Sequence, residues 1–133
     1  MDWKLELVSV PVSDVDRAIT FYVDQVGFNM DYDHHVSEDL RFVQITPRGS
    51  NCSIALGVGL STKPPGSVEG LQVVVSDVAA ARTELLGRGV DVTEVQHFPW
   101  GDFVFFSDPD GNGWALQQIP DRGSADEPSA GQG

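Results

Sequence analysis

The chain is poor in cysteine and in basic residues. Cys52 is the sole cysteine among 133 residues, so neither an intrachain disulfide nor a multi-cysteine zinc site can form. Lysine and arginine together number 8 against 20 acidic residues, a formal charge of −12. That balance opposes phosphate backbones and anionic lipid, which argues against nucleic acid and membrane as partners. It fits a solubilising surface, or a field that gathers cationic ligands. No apolar run approaches the ~20 residues of a spanning helix, and no signal segment opens the chain, so a cytoplasmic protein is expected. Also missing are a glycine-rich phosphate loop, a Gly-x-Ser-x-Gly elbow and a zincin helix. Cys52 has only Arg48 as a cationic neighbour in sequence and reads as a packing residue. The length suits one domain with its own core.

What is present begins with a strand, Leu5 to Val12, ended by Pro11 and by Asp14, a good helix N-cap. Val15, Ala18, Ile19, Tyr22, Val23 and Val26 then recur at helical spacing, with Gly27 as a C-cap, which predicts a helix over 14–26. Residues 28–36, 40–46 and 51–57 read as three short strands. After a Gly/Ser/Pro-rich stretch, 58–69, read as a linker or mobile loop, the pattern restarts. A strand at 70–75 leads to Asp77, then to a helix with Val78, Ala81 and Leu85 inward, then to strands at 90–98, 102–106 and 113–119. Val12-Ser13-Asp14-Val15 returns as Val75-Ser76-Asp77-Val78, 63 residues later, so the chain contains an internal repeat. The expected fold class is α+β: two tandem βαβββ modules, 4–57 and 70–119, in one domain over 1–120. The acidic, Gly-rich tail at 121–133 has no apolar face and is expected to be disordered.

The densest turn chemistry is Asp108-Pro109-Asp110-Gly111-Asn112-Gly113, between Phe103–Phe106 and Trp114–Ile119. It predicts a hairpin joining the last two strands. As a calcium loop it fails, because Ile119 stands where a bidentate glutamate is required and the flanks are β-prone.

With the repeat, the Val-x-Asp helix openings, Phe21-Tyr22 and the late Asp-Pro-Asp-Gly turn in hand, the chain resembles the vicinal oxygen chelate superfamily: glyoxalases, bleomycin-resistance proteins and extradiol dioxygenases. The resemblance covers about residues 4–119. It implies a curved mixed sheet with a concave cleft, and a homodimer in which two chains share each cleft. In metal-dependent members of that superfamily, ligands stand at positions that fall here on Leu7, about Ala55, Gly70 and Ala115. None of these carries a carboxylate, imidazole or thiolate. No metal or cofactor is therefore expected, and the chain is closest in character to metal-free bleomycin-resistance-like members.

If Ala115 faces the cleft, strand alternation places Gln117, Phe103 and Phe105 there and turns Trp114 and Leu116 to the core. Small residues at the former ligand positions, together with Gly57, would leave an apolar cavity suited to a drug-sized ligand. Phe42 and Gln44 join the expected binding set. His97 and Trp100 lie at the turn into the hairpin, where Trp100 either stacks on a flat ligand or caps the sheet end. Trp3 and Trp114 read as packing residues. His34 and His35 are adjacent strand residues, so only one can reach the cleft; with His97 they are the candidate acid–base groups, and the candidate ligands of a metal rebuilt with a carboxylate. The favoured expectation is sequestration of a small hydrophobic or aromatic antibiotic or natural product, without chemistry. The alternative is a metal-independent isomerase, cyclase or lyase on a polyketide-like substrate or another small carbonyl compound, with one of the histidines as acid–base and Gln44 or Gln117 as oxyanion donor.

Overall fold

The computed structural model describes residues 1–120, so the expected disordered tail at 121–133 lies outside the described residues. The order is β1 (Leu7–Ser9), α1 (Val15–Ile19) continuing into a π-helical stretch (Thr20–Val26), β2 (Asn29–Ser37), β3 (Leu40–Thr46), β4 (Ser53–Val58), β5 (Leu71–Val74), α2 (Val78–Gly87), β6 (Gln96–Phe98), β7 (Gly101–Ser107) and β8 (Gly113–Gln118). This is the expected pair of βαβββ units. Each builds its own open four-stranded sheet in the same order, β1-β4-β3-β2 and β5-β8-β7-β6. In each, the first strand runs parallel to the last and the other pairs are antiparallel. The strands therefore make two mixed sheets and not the one curved sheet expected.

The repeated tetrapeptide works identically in both halves. Asp14 accepts a hydrogen bond from the Arg17 N–H at 3.1 Å and Asp77 one from the Ala80 N–H at 3.0 Å, each satisfying a donor that an N-terminal helical turn leaves unpaired. The first helix departs from regular α-winding where Phe21 and Tyr22, consecutive aromatics, are both buried. There the Gly27 and Phe28 N–H groups both reach the Tyr22 carbonyl, and Gly27 takes a φ of 93°, which glycine adopts without strain.

Alternation sorts each sheet into a core face and an open face. Val43, Ile45, Ile54 and Leu56 of the first sheet, and Val104, Phe106, Trp114 and Leu116 of the second, join Val15, Ala18, Phe21, Tyr22, Val78 and Leu85 in one hydrophobic cluster. The halves meet through aromatics: Tyr22 and Trp114 centroids are 5.7 Å apart, and those of Phe21 and Phe106 6.1 Å. Trp114 thus packs as expected, whereas Trp3 is 89% exposed and is not the packing residue expected.

The Asp108–Gly113 turn joins β7 to β8 and also fastens the two modules together. Buried Asp108 accepts from the Asp110, Gly111 and Asn112 N–H groups through Oδ1, and from the Tyr22 hydroxyl and Asn112 Nδ2 through Oδ2. Asn112, fully buried, donates to the Pro11 carbonyl and accepts from the Val68 N–H. Asp110 reaches back to the Ser13 N–H and hydroxyl and to Arg17. Burial alone would raise the Asp110 pKa, but Ser13 and Arg17 outweigh it and hold the carboxyl below its usual value. Burial, reinforced by the Asp108 carboxylate, pushes the Tyr22 phenol well above its ordinary pKa.

Two expectations need correction. The strand foreseen over 90–98 is regular only at Gln96–Phe98. Val90 and Val92 turn into the core, and Thr93 bonds Phe105 through its own N–H and hydroxyl rather than through a regular ladder. The stretch 58–69 is no free linker: Gly66 donates to the Pro11 carbonyl, Val68 to Asn112, and Gly113 to the Val68 carbonyl.

Candidate functional site

The open face of the second sheet carries the aromatic residues. Register pairs Phe103 with Gln117, Phe105 with Ala115, and Ala115 with Gln72, so these side chains share one face. Phe103 and Phe105 lie parallel, centroids 5.8 Å apart with 6° between planes. Phe98 meets Phe103 edge-on at 5.6 Å and stacks on Trp100 at 5.4 Å. Together with Gly70, Gln72, Ala115 and the Asp91–Thr93 stretch they bound a cavity of about 1030 Å³, at the upper end for drug-sized ligands. At Gly70, with φ of +82°, no atom lies within 4 Å of where a Cβ would stand, so that wall is open.

One polar chain crosses this face. Gln72 Nε2 donates to Gln117 Oε1 at 2.7 Å, and Gln117 Nε2 donates to the Trp100 carbonyl at 2.9 Å. The turn that presents Trp100 depends on Gly101, whose φ is +147° and whose missing Cβ would fall 2.8 Å from the Gln118 carbonyl. Gln117 thus ties the Trp100 backbone to the sheet.

The first sheet contributes a separate open face, with Leu7, Phe42, Gln44, Ala55 and Gly57 on it by register. Its hollow is about 290 Å³, lined in part by Ser9, Ala55, Gly57 and Leu60. Gly57 does not supply the expected open volume: a Cβ there would lie 2.0 Å from the Arg41 carbonyl and 2.6 Å from Leu60, so that space is already filled. Gln44 is engaged with Ser53 at 3.2 Å.

The histidines do not converge. His34 stacks on Tyr32 on the open face of the first sheet, while His35 turns to the opposite face, 3.5 Å from Asp33. The Arg41 guanidinium binds Asp33 in a bidentate fork, which lowers the Asp33 pKa and raises its own. His97 pairs with Asp102 across β6 and β7, on the face opposite Phe103 and Phe105, and its Nδ1 sits 2.7 Å from Asp102 Oδ1. Its expected place in the cleft is corrected by one step of strand parity. Among the described residues no three His, Cys, Asp or Glu side chains cluster as a metal site.

The family model of the Glyoxalase/Bleomycin resistance protein/Dioxygenase superfamily matches residues 4–116. The chain belongs to this superfamily. Among solved superfamily structures, it is similar to TnmS3, described as an antibiotic binding protein from Streptomyces sp. CB03234: 41% identical, TM-score 0.81, covering 89% of this chain and 97% of that one. A glyoxalase/bleomycin resistance protein from the same organism is 42% identical, TM-score 0.77, covering 86% of this chain and all of the other. YetH of Bacillus subtilis (strain 168), described only as uncharacterized, is 24% identical over 123 residues, 86% of this chain and 98% of its own length.

The positions at which the resemblance to metal-dependent members implies ligands are occupied here by Leu7, about Ala55, Gly70 and Ala115. Hydrocarbon and glycine side chains cannot ligate a divalent ion, so the residues present do not fit the superfamily's metal. Sequence reasoning missed Gln72, Phe98, Glu69, Asp91 and Thr93 as cavity residues. The signal for Gln72 was there: it is the first polar residue after Leu71 in an alternating strand, one step from the core face.

Proposed function

We propose that this protein binds a flat, hydrophobic antibiotic or related natural product against the aromatic face of the second sheet and sequesters it unchanged. The observation that carries the reading is the layer of Phe98, Trp100, Phe103 and Phe105 lining one large cavity. The likeness to TnmS3, an antibiotic binding protein, supports it. Burying ~300 Å² of ligand at ~25 cal/mol/Å² contributes about 7 kcal/mol before the costs of association. Affinity alone therefore suffices, and no acid–base group need reach the ligand. The homodimer belongs to the same reading. The hollows of the two sheets are lined by different parts of one chain, and a second copy laying its first sheet over the aromatic cavity would enclose a ligand that one chain leaves open.

The test incubates the protein with planar polyketide antibiotics, measures Kd calorimetrically and weighs the recovered ligand by mass spectrometry. Unmodified ligand released in full from a saturable complex is expected. Ligand of changed mass would replace sequestration with the isomerase, cyclase or lyase alternative.

A further inference from the structure

The polar atoms of the aromatic cavity follow from a short deduction. The Trp100 carbonyl can only accept, so Gln117 must donate to it through Nε2, which turns Gln117 Oε1 toward Gln72. Gln72 must then donate through its own Nε2, which leaves its carbonyl oxygen without a donor among the described residues. The Thr93 hydroxyl is already engaged, donating to the Glu94 carbonyl and accepting from the Phe105 N–H. The charged residues lining the cavity are Glu69 and Asp91, and none of the lining residues is lysine or arginine; the Arg82 guanidinium stands behind the Asp91–Thr93 stretch, where it donates to the Thr93 carbonyl at 2.8 Å. Both acidic residues are exposed, and among the described residues neither enters an ion pair.

We infer that the ligand class this cavity prefers is a flat aromatic molecule carrying a protonated amine, read by Glu69, Asp91 and the Gln72 carbonyl. This rests on the binding reading given above. The ring system stacks on Phe103 and Phe105, whose π-faces also favour a nearby cation. The ammonium reaches the acidic rim, where unpaired carboxylates gain a counter-charge. The net charge of −12 acts in the same direction at longer range. A carboxylate on the same ring system would meet repulsion from both acids and find no basic partner in the lining.

The experiment compares three probes that differ only in one substituent on anthracene: aminomethyl, protonated near neutral pH; hydroxymethyl; and carboxylate. Calorimetric Kd values are measured at low and high salt for the wild-type chain, for the double variant Glu69→Gln with Asp91→Asn, and for Phe105→Ala. The amine is expected to bind about three- to tenfold tighter than the alcohol, with the carboxylate weakest, and the preference should shrink in high salt. In the double variant the amine-to-alcohol ratio should fall toward one. Equal affinities for all three probes, weakened alike by Phe105→Ala, would overturn the charge selection and leave the aromatic cleft standing. No binding of any probe would overturn the cleft reading and this inference together.

Discussion

Replacing Asn112 with alanine is expected to destabilise the protein by about 3 kcal/mol. Three bonds leave with the side chain, and their costs differ. The Pro11 carbonyl keeps the Gly66 N–H as a donor at 3.2 Å, so its loss is the mildest. The bond to the Asp108 carboxylate is charge-assisted, worth about 1.5–3 kcal/mol, although Asp108 Oδ2 retains the Tyr22 hydroxyl. The Val68 N–H loses its acceptor in a half-buried place, at about 1–3 kcal/mol. A total near 3 kcal/mol is a large part of the 5–15 kcal/mol typical of a domain. Urea unfolding followed by tryptophan fluorescence measures it, with exposed Asn51→Ala as the control, expected within about 0.5 kcal/mol of wild type. Asn112→Asp keeps the shape but sets a carboxylate against Asp108, and should be at least as damaging. A cost below about 1 kcal/mol for the alanine variant, or a stable aspartate variant, would refute the role given to this turn as the fastening between modules.

Phe105→Ala should raise the Kd for an aromatic ligand about tenfold, by calorimetry, with only a small change in the urea midpoint, because Phe105 is only half-buried on the open face. Gly101→Ala forces a side chain toward the Gln118 carbonyl at a positive φ and should cost about 1–3 kcal/mol while weakening ligand binding, read by thermal unfolding and titration. The carboxyls of Asp33 beside Arg41, Glu84 beside Arg88, and Asp110 between Ser13 and Arg17 are all held below their ordinary values. The unfolded chain takes up those protons first, so their stabilisation is complete above about pH 5 and disappears as pH falls through the folded values. The stability gap between wild type and Asp110→Asn should therefore narrow from pH 7 toward about pH 3 in urea titrations, and a constant gap would discard the Asp110 contribution. Sedimentation velocity should find a dimer, and a monomer at every concentration would remove the proposed shared cleft.

The fold was legible because two short signals recur. Val-Ser-Asp-Val opens each helix with the same cap, and simple alternation assigned Trp114 and Leu116 to the core and Phe103 and Phe105 to the open face. Alternation failed where the backbone leaves the regular ladder. Val90 and Val92 both turn inward ahead of β6, where no regular ladder runs, and His97, placed in the cleft only by its nearness to the hairpin turn, lies on the opposite face of β6. Gly57 misled for another reason: a missing side chain marks free volume only when no neighbour has moved in, and Leu60 has, from a segment whose composition carried no packing pattern. Composition likewise hid the ties of 58–69, because they run through backbone groups of Gly66 and Val68 that any residue possesses. The second function of the Asp-Pro-Asp-Gly-Asn turn was beyond local reading, since Val68 lies 44 residues from it and Tyr22, Ser13 and Pro11 lie 86, 97 and 101 away.

That distance bears on how the protein is made. Asn112 meets Pro11 across 101 residues, and Tyr22 waits for Asp108 and Trp114 across 86 and 92. During synthesis the first module emerges with an aromatic flank that has nothing to rest on until the last hairpin leaves the ribosome, and such non-local closure is slow. Although the two halves repeat one pattern, neither is a spare copy of the other. A cut between Gly101 and Gln118, within β7, β8 or the turn that joins them, would strand both halves, so the second module's hairpin decides whether the first module's aromatic flank is covered.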